Sequence, residues 1–186
     1  LGRQVSARPL PGLAATALQA TPPLHQRAAS SAAGELGQSQ YVEANGHKFF
    51  VMSNGSGTPV ICMPGAMGTA ETDFAPQLTG LAARHRVISC DPRGYGKSRP
   101  PTRDWPIDFY QRDAEDAAAI MKQLGCSSYN VVGWSDGANA AVRLAASYPE
   151  AVSKLVIFGG NAWVTQEDID AYEQTRDVKA NWSKRM

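Results

Sequence analysis

The amino-acid sequence predicts a doubly wound α/β domain with a mostly parallel sheet that opens with an antiparallel hairpin. Short apolar runs alternate with stretches of helical spacing along most of the chain. The runs are too continuous for strands with one wet face, so they predict central strands joined by parallel βαβ crossovers. Ahead of them, two strand-like runs flank Asn45-Gly46, a dipeptide that supplies the positive φ angles of a tight hairpin.

The predicted elements follow one another in a regular order. The hairpin strands cover residues 39–44 and 47–53. The central strands cover residues 60–63, 87–90, 130–132 and 155–158, and the helices cover residues 73–84, 109–124 and 138–147. The chain begins with Leu1 and reaches Met186 just after a charged, helix-like stretch. We therefore expect an amino-terminal fragment that stops at the start of a lid, with a fold incomplete at its carboxyl end.

Residues 1–38 are predicted to be a leader outside the folded domain, which then covers residues 39–186. No Asp or Glu occurs before Glu35, and arginines are spread among small residues. Acid-poor, arginine- and serine-containing leaders resemble mitochondrial transit peptides, so we predict a mitochondrial location. A disordered extension without an address, in a cytoplasmic protein, is the alternative.

Composition excludes several classes of function. The 186 residues suit one domain, and 18 basic against 17 acidic side chains leave a net charge of +1. This balance argues against a nucleic-acid partner, and the absence of a long apolar run argues against a membrane span. The three cysteines, Cys62, Cys90 and Cys126, lack metal-ligand spacing and are predicted to be buried free thiols. We predict no metal and no cofactor, and the oligomeric state stays open.

The strongest local signal is Gly133-Trp134-Ser135-Asp136-Gly137, which lies between a predicted strand and an alanine-rich helix. A serine on a sharp strand-to-helix turn needs small residues two positions before and after it, and the two glycines meet that need. The helix that follows directs the amides of its first turn toward an anion formed at the hydroxyl. We therefore predict a nucleophile elbow with Ser135 as the nucleophile.

A second glycine-rich loop, Pro64-Gly65-Ala66-Met67-Gly68, follows the strand over residues 60–63. In hydrolases of this design, one oxyanion-hole amide comes from this loop and the other from the residue after the nucleophile. Ala66 and Asp136 are the predicted donors, with Met67 the alternative to Ala66. A strand-to-helix turn that is merely rich in glycine is the structural alternative.

The loop at residues 91–98 begins with Asp91-Pro92-Arg93-Gly94 and follows another central strand. It lacks the lysine-serine ending on a helix start that a phosphate loop requires, so nucleotide binding is rejected. Asp91 and Arg93 are predicted to hold this loop beside the oxyanion strand through charge-assisted hydrogen bonds.

With these three elements in order, the chain resembles the α/β-hydrolase fold family, and within it the biphenyl hydrolase-like proteins, also called valacyclovir hydrolases. The resemblance covers residues 41–186. Its carriers are Pro64-Gly65 with Gly68, Glu71-Thr72-Asp73-Phe74, Pro76-Gln77-Leu78, the tract from Asp91 to Gly96, Ser98-Arg99-Pro100-Pro101, the Gly133 to Gly137 motif and Asn161-Ala162. Departures at Ala66, Met67 and residues 138–140 leave fine specificity open. The resemblance implies a serine esterase that hydrolyses α-amino-acid esters through an acyl-serine intermediate.

The resemblance also gives two residues a role in substrate binding. It implies that the Asp136 carboxylate pairs with the α-ammonium of a small-molecule ester and places its carbonyl over Ser135. Capping of the following helix is the alternative for Asp136. Asn161 is expected to line the same pocket, with a loop-forming role as its alternative.

The rest of a serine-hydrolase triad is absent from the sequence. In this fold the order is serine, acid, histidine, yet His25, His47 and His85 all precede Ser135. Asp168, Asp170 and Asp177 follow Ser135 in a polar, lid-like tract, and none is predicted to be the acid. An inactive short isoform or binding scaffold is therefore the alternative function. Ser135 argues against hydrolases with a carboxylate nucleophile, whereas perhydrolysis stays open because it uses the same serine.

Overall fold

The computed structural model describes residues 36–174. The predicted leader up to residue 35 and the end of the predicted domain, residues 175–186, lie outside this range. The described elements are β1 Gln38–Ala44, β2 His47–Asn54, β3 Thr58–Met63, α1 Ala70–Gly80, β4 His85–Cys90, α2 Phe109–Gln123, β5 Tyr129–Trp134, α3 Asp136–Ser147, β6 Val152–Phe158 and α4 Gln166–Gln174.

The six strands form one mixed sheet in the order β1-β2-β4-β3-β5-β6. β2 pairs antiparallel with both β1 and β4, and β4, β3, β5 and β6 run parallel. The predicted fold class is confirmed. Met63, the last residue of β3, pairs with Gly133 near the end of β5. The loop that follows β3 therefore lies beside the turn that follows β5.

Apolar side chains are buried on both faces of the sheet, because successive residues of a strand point to opposite sides. On β2, Phe49 and Val51 join the cluster that contains α2 and α3 side chains, and Phe50 and Met52 join the cluster that contains α1 side chains. The sheet is thus covered by α2 and α3 on one face and by α1 on the other. This arrangement explains the continuous apolar runs.

The start of α1 differs from the prediction. The helix runs from Ala70 to Gly80, whereas residues 73–84 were predicted. Thr69 caps it, since its hydroxyl accepts from the Thr72 amide at 3.1 Å and the Thr72 hydroxyl accepts from the Thr69 amide at 2.9 Å. These reciprocal bonds satisfy first-turn amides that would otherwise lack acceptors. The helix therefore begins earlier than its apolar spacing indicates.

The three cysteines are free and buried, as predicted. Burial raises the pKa of the Cys62 thiol to about 12, so this thiol is neutral and unreactive at ordinary pH. None of the helices within residues 36–174 is long and apolar enough to cross a membrane.

The strand β6 forms one edge of the sheet, where it pairs with β5. Residues 155–158 were predicted to form a central strand covered on both faces, and this is wrong within residues 36–174, where β6 lies at the edge and its apolar side chains are exposed. The exposed fractions are 38% for Leu155, 56% for Val156, 47% for Ile157 and 46% for Phe158. This edge contrasts with β3 and β4, whose apolar residues are buried.

Candidate active site

Ser135 lies on a sharp turn between β5 and α3, at the carboxyl edge of the sheet. Its backbone has φ +54° and ψ −125°, a conformation that non-glycine residues rarely adopt. A Cβ at Gly133 would approach the Gly137 carbonyl oxygen to 2.5 Å, and one at Gly137 would collide with the carbonyl oxygens of Met63 and Pro64. Gly133 is therefore required by the packing of the turn against α3, and Gly137 by its packing against the end of β3.

The first turn of α3 starts directly at this serine. The Ser135 carbonyl accepts from the amides of Ala138 at 2.9 Å and Asn139 at 3.3 Å. The Asp136 amide, a predicted oxyanion donor, donates to no acceptor within residues 36–174. An unpaired amide at the positive end of a helix can bind a developing negative charge.

The glycine-rich loop after β3, which we call the oxyanion loop, covers residues 64–68. The Gly68 amide donates to the Gly65 carbonyl at 3.1 Å, and Met67 has a left-handed φ of +59°. The Ala66 amide, the other predicted donor, also lacks an acceptor among the described residues. A Cβ at Gly65 would lie 3.0 Å from Ser135 Cβ, so this loop and the serine are in direct contact.

Asp73 joins this loop to the turn that carries Ser135. Its Oδ2 atom accepts from the Gly65 amide at 2.9 Å and from Trp134 Nε1 at 2.7 Å. Asp73 was not predicted from sequence to be a site residue. The signal available in the sequence was the position of Asp73 in the first turn of α1, which follows the oxyanion loop.

Asp136 points its carboxylate toward α2. Its Oδ1 atom accepts from the Tyr110 hydroxyl at 2.7 Å, so the carboxylate bonds a phenol on another helix. Burial, together with the negative charge of Asp136, raises the pKa of Tyr110 to about 12. The phenol therefore remains a hydrogen-bond donor at neutral pH. Tyr110 was missed from sequence, because nothing local connects it with a residue on α3.

The predicted site residues line one open cavity of about 460 Å³. Ser135, Ala66, Asp136 and Asn161 all contribute to it. The remaining lining residues are Trp105, Tyr110, Gly159, Val164, Asp168 and Tyr172. Among the described residues, the lining holds two carboxylates and no lysine or arginine, so the charge of this part of the cavity suits a cationic ligand. Its aromatic and aliphatic side chains suit an apolar group beside that cation.

Asn161 lies at the wall of this cavity with its amide already engaged. Its Oδ1 accepts from Asn139 Nδ2 at 2.9 Å, its backbone amide donates to Asn139 Oδ1 at 3.1 Å, and its Nδ2 donates to the Trp163 carbonyl at 3.0 Å. These bonds hold the segment after β6 against α3. They provide the loop-forming role that the sequence left open, and a role in substrate binding stays a prediction.

In the loop after β4, Asp91 and Arg93 both form charge-assisted hydrogen bonds, as predicted, and they join the loop to different helices. Asp91 accepts from the amides of Ala70 at 2.9 Å and Lys97 at 2.7 Å, which ties this loop to the start of α1. Arg93 instead forms a bidentate pair with Asp116 of α2, at 2.8 and 2.6 Å. Two bonds in parallel fix the orientation of both planar groups.

No histidine lies beside Ser135 within residues 36–174. His85 begins β4, and β4 and β5 run parallel, so it lies at the opposite edge of the sheet from Ser135. His47 begins β2 and lies 2.8 Å from an Arg93 nitrogen through its Nε2 atom. Asp168 accepts from the Thr165 amide and hydroxyl, both at 2.8 Å, as part of the start of α4. Among the described residues, no group of histidine, cysteine, aspartate or glutamate is arranged for a metal ion.

A mixed sheet with a strained serine between a parallel strand and a helix is the architecture of the α/β-hydrolase class. Residues 58–184 match the family model described as alpha/beta hydrolase fold, and the chain belongs to this family. The described residues form part of that fold.

Individual relatives agree with the resemblance found in the sequence. The chain is 45% identical to serine hydrolase BPHL of Homo sapiens over 168 residues, which cover 88% of this chain and 57% of the human protein. It is 48% identical to serine hydrolase BPHL of Mus musculus over 127 residues, covering 68% of this chain and 43% of the mouse protein. The chain thus spans about half the length of the curated relatives it matches. The resemblance to biphenyl hydrolase-like proteins is confirmed.

Solved structures show the same fold. The crystal structure of E-2-(acetamidomethylene)succinate hydrolase superposes with a TM-score of 0.66 at 28% sequence identity. The match covers 74% of this chain and 50% of that protein.

Proposed function

We propose that this protein is a serine hydrolase that cleaves carboxylic esters of α-amino acids through an acyl-serine intermediate on Ser135. One observation carries the proposal: a strained serine and the carboxylate of the next residue line the same cavity. The first group suits attack on an ester carbonyl, and the second suits recognition of an ammonium group. The relatives of this chain named serine hydrolase support the reaction class.

In the proposed reaction, Ser135 Oγ attacks the ester carbonyl carbon and its proton passes to a base. The carbonyl oxygen becomes an oxyanion, which the amides of Ala66 and Asp136 bind. Each such donor contributes about 3 kcal/mol to a typical transition state. Collapse of the tetrahedral intermediate expels the alcohol, and water then releases the amino acid from Ser135. A histidine oriented by an acid is the usual base, and the described residues place neither beside Ser135.

The proposed preference for an α-ammonium group follows from the surroundings of Asp136. Tyr110 holds the Oδ1 atom, which fixes the plane of the carboxylate and leaves Oδ2 available to a ligand. Within residues 36–174, no lysine or arginine that lines this cavity competes for it. Since a free α-amino group loses its proton near pH 8, binding of amino-acid esters should weaken above that pH, by about tenfold per unit where the neutral amine dominates.

The proposal is tested with an activated phenylalanine ester and the purified 186-residue chain, with added imidazole as an external base. We expect acylation, and turnover above the rate with imidazole alone, and both should disappear in Ser135→Ala. The same ester with its amine acetylated should react more slowly, because it lacks the cation that Asp136 recognises. Mass spectrometry of the intact chain would show the acyl group on Ser135.

Asp136→Asn is the matched variant for the substrate class. It keeps the shape of the side chain and removes its charge, so the preference for the free amine over the acetylated ester should disappear. Equal rates for both esters in the unsubstituted chain would contradict the proposed substrate class. Hydrolysis that persists in Ser135→Ala would contradict the proposed nucleophile.

A ligand-binding protein without turnover is the second candidate, because the described residues 36–174 place no histidine beside Ser135. This function predicts Asp136-dependent binding of the amino-acid ester without acylation of Ser135, even when imidazole is present. Calorimetric binding measurements beside the mass analysis distinguish the two functions.

A further inference from the structure

We infer that Asp73 is a positioning residue that fixes the oxyanion loop against the turn carrying Ser135. The contacts of Asp73 stand on the geometry of the structure. Their importance for catalysis rests on the function proposed above. Asp73 lies on α1, in neither of the two segments that supply the predicted nucleophile and oxyanion donors.

The contacts of Asp73 join those two segments through a single atom. Its Oδ2 accepts from the Gly65 amide at 2.9 Å and from Trp134 Nε1 at 2.7 Å. Gly65 directly precedes Ala66, and Trp134 directly precedes Ser135. Each donor is therefore one residue from a group that must be placed accurately for attack and for oxyanion binding.

The carboxylate itself is held in position by its neighbours. The Thr72 hydroxyl donates to the Oδ1 atom of Asp73 at 2.9 Å. A Cβ at Gly68 would collide with the same carboxylate, so the loop packs closely around it. Hydrogen bonds to an ionised acceptor are about twice as strong as neutral ones, which suits a contact that must fix a loop.

The oxyanion loop has few other ties to the structure. Ala66 and Met67 are both exposed, and the loop closes on itself through the bond from Gly68 to Gly65. Loss of the Asp73 contacts would therefore let the loop move relative to Ser135. The Trp134 side chain would lose its only polar bond among the described contacts while keeping its stacking on Phe158.

An acidic residue in the first turn of a helix also stabilises that helix through its dipole. Glu71 offers the matched control, because it lies in the same turn of α1 and, among the described residues, its carboxylate pairs with the exposed Lys97 at 3.6 Å. If Asp73 acted only on the helix, Glu71→Ala and Asp73→Ala would have similar effects.

The experiment uses the full chain and has two readouts. The first is the NMR signal of the Trp134 indole N–H in nitrogen-labelled protein, and the second is the affinity of the chain for phenylboronic acid. The boron atom of a boronic acid bonds to the serine oxygen while the hydroxyl proton passes to added imidazole, and the anionic tetrahedral adduct places one of its boron-bound oxygens in the oxyanion hole. In Asp73→Ala we expect the indole signal to shift upfield and exchange faster, with boronate affinity falling about tenfold, the loss expected for one hydrogen bond to a charged group. Glu71→Ala should change neither readout.

Asp73→Asn provides the rescue, because its amide oxygen can accept from both Gly65 and Trp134. We expect it to recover most of the boronate affinity, and thermal unfolding of each variant would show that the fold is retained. An unchanged indole signal in Asp73→Ala, or equal effects of Asp73→Ala and Glu71→Ala, would overturn the inference.

The two proposals fail in different ways. Boronate binding that is unaffected by Ser135→Ala would overturn the proposed nucleophile. The indole signal of Trp134 would still decide whether Asp73 holds the turn, since that signal does not depend on any reaction at Ser135.

Discussion

The backbone of Ser135 adopts φ +54° and ψ −125°, which favours glycine over any residue with a Cβ. Strain of this kind typically costs 1 to 3 kcal/mol, by rough estimate, and persists where the surroundings impose it. The surroundings of Ser135 impose this conformation, because the turn packs tightly between the end of β5, the carbonyl oxygens at the end of β3 and the start of α3. A turn of this kind raises the serine hydroxyl above the carboxyl edge of the sheet.

Replacement of Ser135 should show this strain directly. We expect Ser135→Gly to be more stable than Ser135→Ala by about 1 kcal/mol, because glycine relieves the positive φ and alanine does not. Both variants lack the hydroxyl, so the comparison separates backbone strain from loss of the side chain. Urea unfolding followed by tryptophan fluorescence measures the difference. Equal stabilities, or a more stable alanine variant, would show that the turn is unstrained.

Gly137, two residues after Ser135, is required for a different reason, because the end of β3 lies close to it. A Cβ at Gly137 would collide with the carbonyl oxygens of Met63 and Pro64. We expect Gly137→Ala to lower the free energy of unfolding by about 2 kcal/mol or more, as overpacking does. Gly80→Ala is the control, since its Cβ would meet no atom within 4 Å. At this helical position alanine should stabilise by up to about 1 kcal/mol, and destabilisation of similar size at both positions would refute the packing argument.

At the scale of elements, Asp91 connects the loop after β4 with the start of α1. Burial raises the pKa of this carboxyl, although the amides of Lys97 and Ala70 that donate to it oppose the shift. Between the ordinary carboxyl pKa and this raised pKa, Asp91 is therefore protonated in the folded chain and ionised in the unfolded chain. The contribution of Asp91 to the free energy of unfolding consequently falls as the pH rises from about 4, the ordinary carboxyl value, through the raised pKa.

Asp91→Asn should make this dependence visible. Relative to the variant, the unsubstituted chain should lose stability as the pH rises from about 4 through the raised pKa of Asp91. Asp104 gives the control of opposite sign, because a hydrogen bond from Arg112 lowers its pKa. Relative to Asp104→Asn, the unsubstituted chain should gain stability as the pH rises toward about 4. Urea unfolding at a series of pH values measures both, and slopes of the same sign would contradict the assignment.

The central strands β3 and β4 could be predicted from sequence because their apolar residues are buried on both faces of the sheet. The apolar runs that end at Met63 and Cys90 identified β3 and β4, and Asn45-Gly46 identified the hairpin. Helix starts were less accurate. The cap of α1 uses Thr69 with Thr72, whereas the usual signal for such a reciprocal cap places Glu or Gln at the third position.

The candidate site was predicted where its signals are local in sequence. Ser135, Ala66 and Asp136 lie on two short motifs, and the structure places all three on one cavity. Asp73 and Tyr110 were missed because their contacts join distant parts of the chain. Asp73 bonds Trp134, 61 positions away, and Tyr110 bonds Asp136, 26 positions away. Such pairings depend on the packing of α1 and α2 on the sheet, which no local pattern records.

At the scale of the whole molecule, the burial of apolar side chains is uneven across the sheet. Val60 and Ile61 of β3 are buried, whereas Val156 and Ile157 of β6 are 56% and 47% exposed. An exposed apolar edge strand is a template for pairing with another chain. In the 186-residue chain, this edge is therefore the region from which non-specific association should start.

Val156→Lys tests this expectation, because a charge on an edge strand disfavours the addition of another strand. We expect the unsubstituted chain to scatter more light and bind more of an apolar dye as its concentration rises, and the variant to do so less. Stability should change by no more than about 0.5 kcal/mol, since the side chain is largely exposed. Thr79→Lys, on the exposed side of α1, adds the same charge away from the edge and should leave association unchanged. If both variants reduced association equally, net charge would be the cause, and β6 would have no special part in it.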